Sequence, residues 1–549
     1  MTTSGGTAGR SAHVDTFCRD NLPPPNSWPQ FLFELPELRY PEQLNCAVEL
    51  LDRTIDRVGR DRLCVLSPEG GTWTYGELAD QVSRIAHVLV EDFGIVPGNR
   101  VLLRGPNNFW LAASWLAVLK AGAVAVTTMP LLRPTEIVTL SDIARPQLAL
   151  CDSRFVADLL AAAVPDLPIV TYGDTAAADD LISRTAGKPA DFDAVPTSAD
   201  DVAMLALTSG TTGRPKATMH FHRDVLAIAD TFSAHVVRPV ADDVFIGTPP
   251  LGFTFGLGGL LVFPLRAGAS TLLVERATPD ELAEIIAARG ATVCFTAPTA
   301  YRALLAGGHA AKLTGLRRAV SAGEHLPEST WHAFVEATGL RLIDGIGSTE
   351  MLHVFVSAAD DDIRPGATGR AVPGYQVTVL DDAGAPVGPG VAGRLAVKGP
   401  TGCRYLADAR QAVYVQDGWN VTGDTYVRDE DGYFFYQART DDMIISAGYN
   451  IAGPEVEEAL LVHPGVLECC VVGVPDEQRG QVVKAFVVAA ADAAPGTELA
   501  AELQAFAKQR IAPYKYPRTI EFVDALPRTS TGKVQRFKLR EPGATAPSG

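Results

Sequence analysis

Short apolar runs alternating with segments of helical spacing constrain this chain more than any other feature. Arg100-Val101-Leu102-Leu103 and the runs 123–128, 148–151 and 202–207 read as buried strands, while 109–121 and 224–236 carry helical spacing. The pattern returns downstream: strands at 244–247, 291–296, 316–321 and 340–343, with a helix at 279–289. Such alternation predicts an α/β fold of parallel or mixed sheets with helices on both faces. Residues 44–90 show mostly helical spacing, with Thr74-Tyr75-Gly76-Glu77-Leu78 opening a helix. The segment 20–51 is rich in proline and aromatics, which suits a strap laid over a core built elsewhere.

A chain of 549 residues exceeds one ordinary core. Strand, turn and strand between 374 and 398 predict a small β-rich subdomain. Beyond Tyr436-Gln437-Ala438-Arg439-Thr440-Asp441 the order strand, helix, strand, strand, helix, strand predicts a compact α+β module. The expected division is a large domain over 1–440 and a small one over 441–549, with disordered ends in the first dozen residues and from about 541.

Apolar content of 47% with 20% charged residues is that of a soluble globular protein. No apolar run reaches membrane-spanning length. Eight scattered cysteines show neither metal nor disulfide spacing, which predicts a reducing cytoplasm. The formal charge of −17 argues against a nucleic-acid surface and also opposes anionic substrates. Any phosphate site must therefore be made positive locally.

Leu207-Thr208-Ser209-Gly210-Thr211-Thr212-Gly213-Arg214-Pro215-Lys216 offers such a site. Two glycines let backbone N–H groups turn toward an anion, and four hydroxyls beside a lysine add side-chain donors. An apolar strand leads in and a helix follows, an order that suits a bound polyphosphate; a surface turn uses the same residue types. The spacing is not that of the Walker loop. Three predicted strands end in small residues, at Ala297-Pro298-Thr299, Ala322-Gly323-Glu324 and Asp344-Gly345-Ile346-Gly347-Ser348-Thr349-Glu350, which predicts one crevice at a carboxyl edge. Phe253-Thr254-Phe255 beside Gly256, Gly258 and Gly259 suits a flat pocket or an aromatic core. Asp424, after Gly423, suits a turn or a diol acceptor; Lys533 stands in a Ser/Thr/Gly loop. His220 and Asp224 form either a helix start capped by Asp224 or a two-residue acyltransferase-like pattern.

The 207–216 loop, Gly347-Ser348-Thr349-Glu350, Thr422-Gly423-Asp424, Tyr436 to Asp441 and Arg528-Thr529-Ser530-Thr531-Gly532-Lys533 occur in the order of the adenylate-forming enzymes. The chain resembles that superfamily over nearly its whole length. It is most similar to the benzoate-CoA and 2-aminobenzoate-CoA ligases, through Asn21-Leu22-Pro23-Pro24-Pro25, Leu35-Pro36-Glu37-Leu38, Gly347-Ser348-Thr349-Glu350-Met351-Leu352-His353 and Ala512-Pro513-Tyr514-Lys515-Tyr516-Pro517-Arg518.

The resemblance implies activation of an aromatic carboxylic acid by ATP and transfer of the acyl group to coenzyme A. It implies that Thr208, Ser209, Gly210, Thr211, Thr212, Gly213 and Lys216 cradle phosphates, with Glu350 and Thr212 at Mg²⁺. Gly323, Glu324, Asp344, Gly345, Ile346, Gly347, Ser348 and Thr349 would surround adenine and its neighbourhood, with Asp424 and Arg439 at the ribose. Phe253, Thr254, Phe255, Ala297, Gly323, Ile346 and His353 would line the aryl pocket; His353 would bond an ortho substituent or simply pack. Lys533 would bridge the carboxylate and the α-phosphate. A hinge at Asp441 would then exchange it for the Ser446-Ala447-Gly448-Tyr449 segment, where Gly448 leaves room for the pantetheine arm. A homodimer, or an acyl carrier protein in place of CoA, stays open, as does a non-catalytic nucleotide binder on the same fold.

Overall fold

Two sheets carry most of the chain up to residue 371 in the computed structural model, which describes residues 10–173, 177, 179–208, 215–439, 442–446, 449–476, 479–511, 514–528 and 534–540. The first has six strands in the order Ile169–Tyr172, Leu148–Asp152, Arg100–Arg104, Val124–Thr128, Val202–Thr208 (β1) and Lys216–Phe221 (β2). All neighbours are parallel except β1 and β2. The second has nine strands, and at its centre Val293–Thr296 (β3), Arg318–Ala322 (β4) and Leu342–Gly347 (β5) run parallel side by side.

Alternate side chains of each strand serve two cores, as the period of an extended chain requires. Val101 and Leu103 face a core shared with the helices Tyr75–His87 and Phe109–Lys120 and with Phe245, Val293 and Phe295 of the second sheet. Leu102 faces the other way, with Val126, Ala149, Leu205 and Met219. The helix Phe109–Lys120 is buried continuously from Leu111 to Lys120, which explains why its sequence has no polar face. Thr74 caps the helix Tyr75–His87 in a reciprocal capping box with Glu77, as its sequence predicts.

A third, antiparallel sheet contains Gln376–Leu380, Ala392–Lys398, Val415–Gln416, Trp419–Arg428 (β6) and Phe434–Arg439 (β7). The fourth gathers Ile444–Ser446, Tyr449–Ile451, Val466–Asp476, Gly480–Ala489 and Thr519–Phe522, and the helices Gly453–Leu461 and Thr497–Arg510 pack on it around Ile444, Val456, Leu460, Val471 and Leu503. The architecture is the α/β fold expected: a large body of stacked sheets with helices, a small β unit and a C-terminal α+β unit. No helix among the described residues is long and apolar enough to cross a membrane.

Three expectations need correction. The glycine-hydroxyl loop does not lead from strand to helix. It joins the antiparallel pair β1 and β2, and the helix starts only at His222. Thr218 and His220 make β2 look polar, yet both are fully buried by partners from elsewhere in the chain. Within 44–90, Leu63–Leu66 and Thr72–Thr74 form a β-hairpin too short to interrupt a helical spacing count. Near the start, Ala12 N–H donates to Asp201 Oδ2 at 2.9 Å and Ser11 Oγ bonds the same carboxylate, so this part of the first dozen residues is tied down. The strap is as expected: Trp28 lies 5.9 Å from the Phe221 ring, and Phe31 bridges Gly399.

Candidate active site

Thr208 and Lys216 close the β1–β2 hairpin as a register pair, so the first and last functional residues of the loop face each other. Ser209, Gly210, Thr211, Thr212 and Gly213 lie outside the described residues. Lys216 Nζ sits 3.1 Å from Glu350 Oε1, and both side chains are at most 15% exposed. Tyr405 completes the group: its hydroxyl donates to Glu350 Oε1 at 2.5 Å and accepts from Lys216. The ammonium lies 4.2 Å from the Tyr405 ring centroid and 5.5 Å from that of Tyr414, whose hydroxyl is 3.1 Å from Ser348 Oγ. Burial, reinforced by the Glu350 carboxylate, drives the Tyr405 hydroxyl far above its ordinary range, so it stays a donor.

The three predicted strand ends share one edge. Thr296, Ser321 and Asp344 are level with one another across β3, β4 and β5, which all point their carboxyl ends the same way. Gly323 follows with φ +89°, a conformation that favours glycine. Gly345, Ile346 and Gly347 complete β5, and Ser348 to Glu350 turn away from it. Burial pushes the Asp344 carboxyl well above the usual range, and its Oδ1 has no bonding partner among the described residues. Glu324 is also raised by burial, against the pull of Arg528. It accepts from Thr299 N–H at 3.3 Å and pairs with Arg528 at 3.4 Å. Asp424 and Arg439 are register partners on β6 and β7, with Nη1 3.5 Å from Oδ1. Gly423 permits this, because a Cβ there would stand 2.4 Å from the guanidinium.

Beside the crevice, Phe253 precedes a short helix, Thr254–Leu257, and Ala297 precedes the helix Pro298–Ala306. His353 packs inside aromatic rings: Phe263 at 4.6 Å edge-on, Phe232 at 5.3 Å and Phe255 at 5.6 Å. Gly258 makes its seat, since a Cβ would be 2.3 Å from the imidazole. Neither ring nitrogen has a well-formed hydrogen bond among the described residues. Burial lowers the imidazole to about 3, the backbone of Phe255 opposing only in part. The unfolded chain therefore binds the extra proton between about pH 6.5 and 3, and stability is lost as pH falls through that window. His353→Phe is expected to stabilise the fold by about 1 kcal/mol at pH 7 and to flatten the acid limb, read from urea midpoints at pH 7 and 5.

Sequence reasoning missed Tyr405, Tyr414 and Arg404. It also left the role of His220 and Asp224 open. His220 is fully buried, with Nε2 2.8 Å from Thr349 O, so it cannot meet a substrate as an acyltransferase histidine would. Asp224 accepts from Phe221 N–H at 3.0 Å, closing the helix start as expected, and also pairs with the fully buried Arg404. Lys533, Asp441, Ala447 and Gly448 lie outside the described residues.

The model of the family "AMP-binding enzyme" matches residues 51–405, and that of its C-terminal domain matches 455–533. The chain belongs to the AMP-binding enzyme family. Within this adenylate-forming superfamily it stands near the benzoate-CoA and aminobenzoate-CoA ligases. It is 35% identical to the benzoate–CoA ligase of Thauera aromatica over 92% of this chain and 97% of that one. It is 34% identical to the 3-hydroxybenzoate–CoA ligase of Aromatoleum sp. (strain CIB), over 85% and 91%. Among solved structures it resembles the anthranilate CoA ligase AuaEII in complex with anthranoyl-AMP, with a TM-score of 0.87 and 32% identity over 92% and 98% of the two chains. This member of the family therefore carries its strand-end crevice, its lysine–glutamate pair and its aromatic cage within an AMP-forming ligase framework.

Proposed function

We propose that this chain is an aryl-CoA ligase that joins an aromatic acid of the benzoate or 2-aminobenzoate type to coenzyme A at the expense of ATP. The observation that carries this reading is one turn. Ser348 to Leu352 holds Glu350 toward Lys216 at its start and delivers His353 into the aromatic cage at its end. A polyphosphate side and a ring side are thus three residues apart. Leu352 adopts φ +67°, a strained conformation for a leucine and one that tends to persist where function needs it.

In the reaction, a carboxylate oxygen of the acid attacks the α-phosphorus of ATP, and the bond to pyrophosphate breaks. The thiol sulfur of CoA then attacks the acyl carbon and AMP leaves. Little covalent work falls to side chains, so rate comes from placing positive charge and donors where negative charge gathers. Lys216 and the 208–213 loop would hold phosphates, Asp424 and Arg439 the ribose, and the edge of β4 and β5 the adenine. Thr254, Phe255, Ala297, Ile346 and His353 would bound the ring. Glu350 offers the hard oxygen that Mg²⁺ prefers. No group of three or more His, Cys, Asp or Glu among the described residues could hold a metal alone. Glu350, phosphate oxygens and water would therefore make up the ligand set, and the ion would neutralise phosphate charge.

We assign 1–440 and 441–549 as the two moving units, with the hinge at Asp441. In support, Arg528 pairs with Glu324 of the crevice and bridges Val534, so both flanks of 529–533 stand at the site's mouth. Arg528→Ala is expected to slow adenylation about three- to fivefold, more at low salt, without slowing thioester formation from supplied adenylate. Separate assays of the two half-reactions at 20 mM and 300 mM salt check this, roughly bracketing strong and weak screening.

The function itself is tested with benzoate, 2-aminobenzoate, 3-hydroxybenzoate and 4-hydroxybenzoate, each with ATP, Mg²⁺ and CoA. Aryl-CoA, AMP and pyrophosphate are the expected products. An adenylate that forms but does not react with free CoA would favour a carrier protein as acceptor. No nucleotide consumption with any aromatic acid would reject the reading.

A further inference from the structure

We propose that Tyr405 is a positioning residue that keeps the Glu350 carboxylate available to a nucleotide-bound divalent cation by sharing Lys216. The inference rests on the ligase reading above and adds a residue outside every signature loop. An ammonium 3.1 Å from a buried carboxylate would, left alone, settle across both oxygens. Tyr405 prevents this in two ways. Its hydroxyl donates to Oε1, the oxygen nearest Lys216, and its lone pair accepts from the ammonium. Its ring also faces the ammonium at 4.2 Å, giving the charge a second, non-carboxylate partner. Among the described residues nothing bonds Glu350 Oε2, so that oxygen is left for a cation.

The tyrosine can do this because it cannot move. Residues 404–406 run along the edge of β2, the strand that begins with Lys216. Met219 N–H donates to Arg404 O, Leu406 N–H donates to Ala217 O, and Tyr405 bridges Thr218. Its own N–H is held by Gln411 Oε1 at 2.9 Å. The neighbouring Arg404 is locked in the core by Asp224 and by the Phe221 ring, 3.8 Å away. Lys216 and Tyr405 therefore stand on two paired backbones, and Glu350 meets both.

The test is Tyr405→Phe, which keeps the ring and removes the shared hydroxyl. Nucleotide binding is read as the rise in melting temperature with ATP, with and without Mg²⁺ and with no acid present. Half-saturation by Mg²⁺ is read from pyrophosphate exchange. The variant should need about tenfold more Mg²⁺, the scale of one lost hydrogen bond to a charged group. Its Mg²⁺-dependent rise in melting temperature should shrink, while the KM for the aromatic acid and the thioester half-reaction stay at wild-type values. A Glu350→Gln background provides the second measurement. If Tyr405 acts through Glu350, Tyr405→Phe should add little there. An unchanged Mg²⁺ requirement, a proportional rise in acid KM, or full additivity with Glu350→Gln would overturn the proposal. A wild-type protein that is stabilised by MgATP yet makes no aryl-CoA would sink the ligase reading and leave this one standing.

Discussion

A Lys533→Ala variant is expected to lose adenylation by about 10²–10³-fold while still converting supplied acyl-adenylate and CoA to thioester at close to the wild-type rate. The size follows from what one preorganised charge contributes where negative charge builds in a water-poor site. The asymmetry follows from where the residue is hung. Arg528 and Val534, on either side of 529–533, form an antiparallel bridge, and Gln535 N–H donates to Pro527 O at 2.8 Å, so this segment leaves and returns at one point. Arg528 ties that point to Glu324 on the large body and to Glu468 on the small one, at 3.4 and 2.6 Å. Both pairs keep some contact with solvent, with side chains 14–29% exposed, so water can take up the charges when the attachment is released within a catalytic cycle. Pyrophosphate exchange reads the first half-reaction, and single-turnover thioester formation reads the second. Equal loss in both would show that Lys533 does not leave the site between steps, and the hinge at Asp441 would fall with it.

Asp224→Ala should cost about 3–5 kcal/mol of stability, the usual penalty for stranding one member of a buried ion pair. Both Asp224 and Arg404 are fully buried. Among the described residues, Arg404 has besides Asp224 only the Met219 carbonyl, at 3.3 Å, and aromatic faces around its guanidinium. Burial alone would push the Asp224 carboxyl up, but the Arg404 guanidinium overrides it, and the carboxyl ends below its usual range. The pair therefore contributes fully above about pH 4, and its contribution is lost as pH falls through the lower, folded-state value. A large fall in urea midpoint at pH 7 is the expected reading. The double variant Asp224→Leu/Arg404→Met should recover most of it, since apolar side chains of similar volume can replace a buried pair at little cost. If the single variant unfolds no earlier than wild type, the pair is not a stability determinant.

Much of this architecture was legible because it repeats a local rule. Strands 100–104, 124–128, 148–152 and 202–208 announce themselves by unbroken apolar runs, and Thr74 with Glu77 announces a helix start. Lys216, Glu350 and Asp424 were legible through their loops. The strand Lys216–Phe221 was not, because its Lys, Thr and His are buried by partners distant in sequence, among them β1, Glu350, the Thr349 carbonyl and the 404–406 segment. Tyr405 and Arg404 gave no signal at all. They sit between a Gly-Cys pair and a leucine, with no spacing that marks chemistry, and acquire meaning only when two segments nearly two hundred residues apart in sequence pair up. His353 is expected in the pocket wall through the family resemblance. Its aromatic enclosure, and the glycine that makes room for it, are tertiary facts.

The short turn that carries both Glu350 and His353 links two properties usually tuned apart. With Leu352 pinned between them in a left-handed conformation, a change that resettles His353 for a bulkier acid is expected to tug on the carboxylate at the nucleotide end. Selectivity won from this side would be repaid in slower turnover. Thr254 hangs on separate backbone, so a change there that spares Phe255, which packs on His353, should widen the range of acids accepted without disturbing phosphate handling.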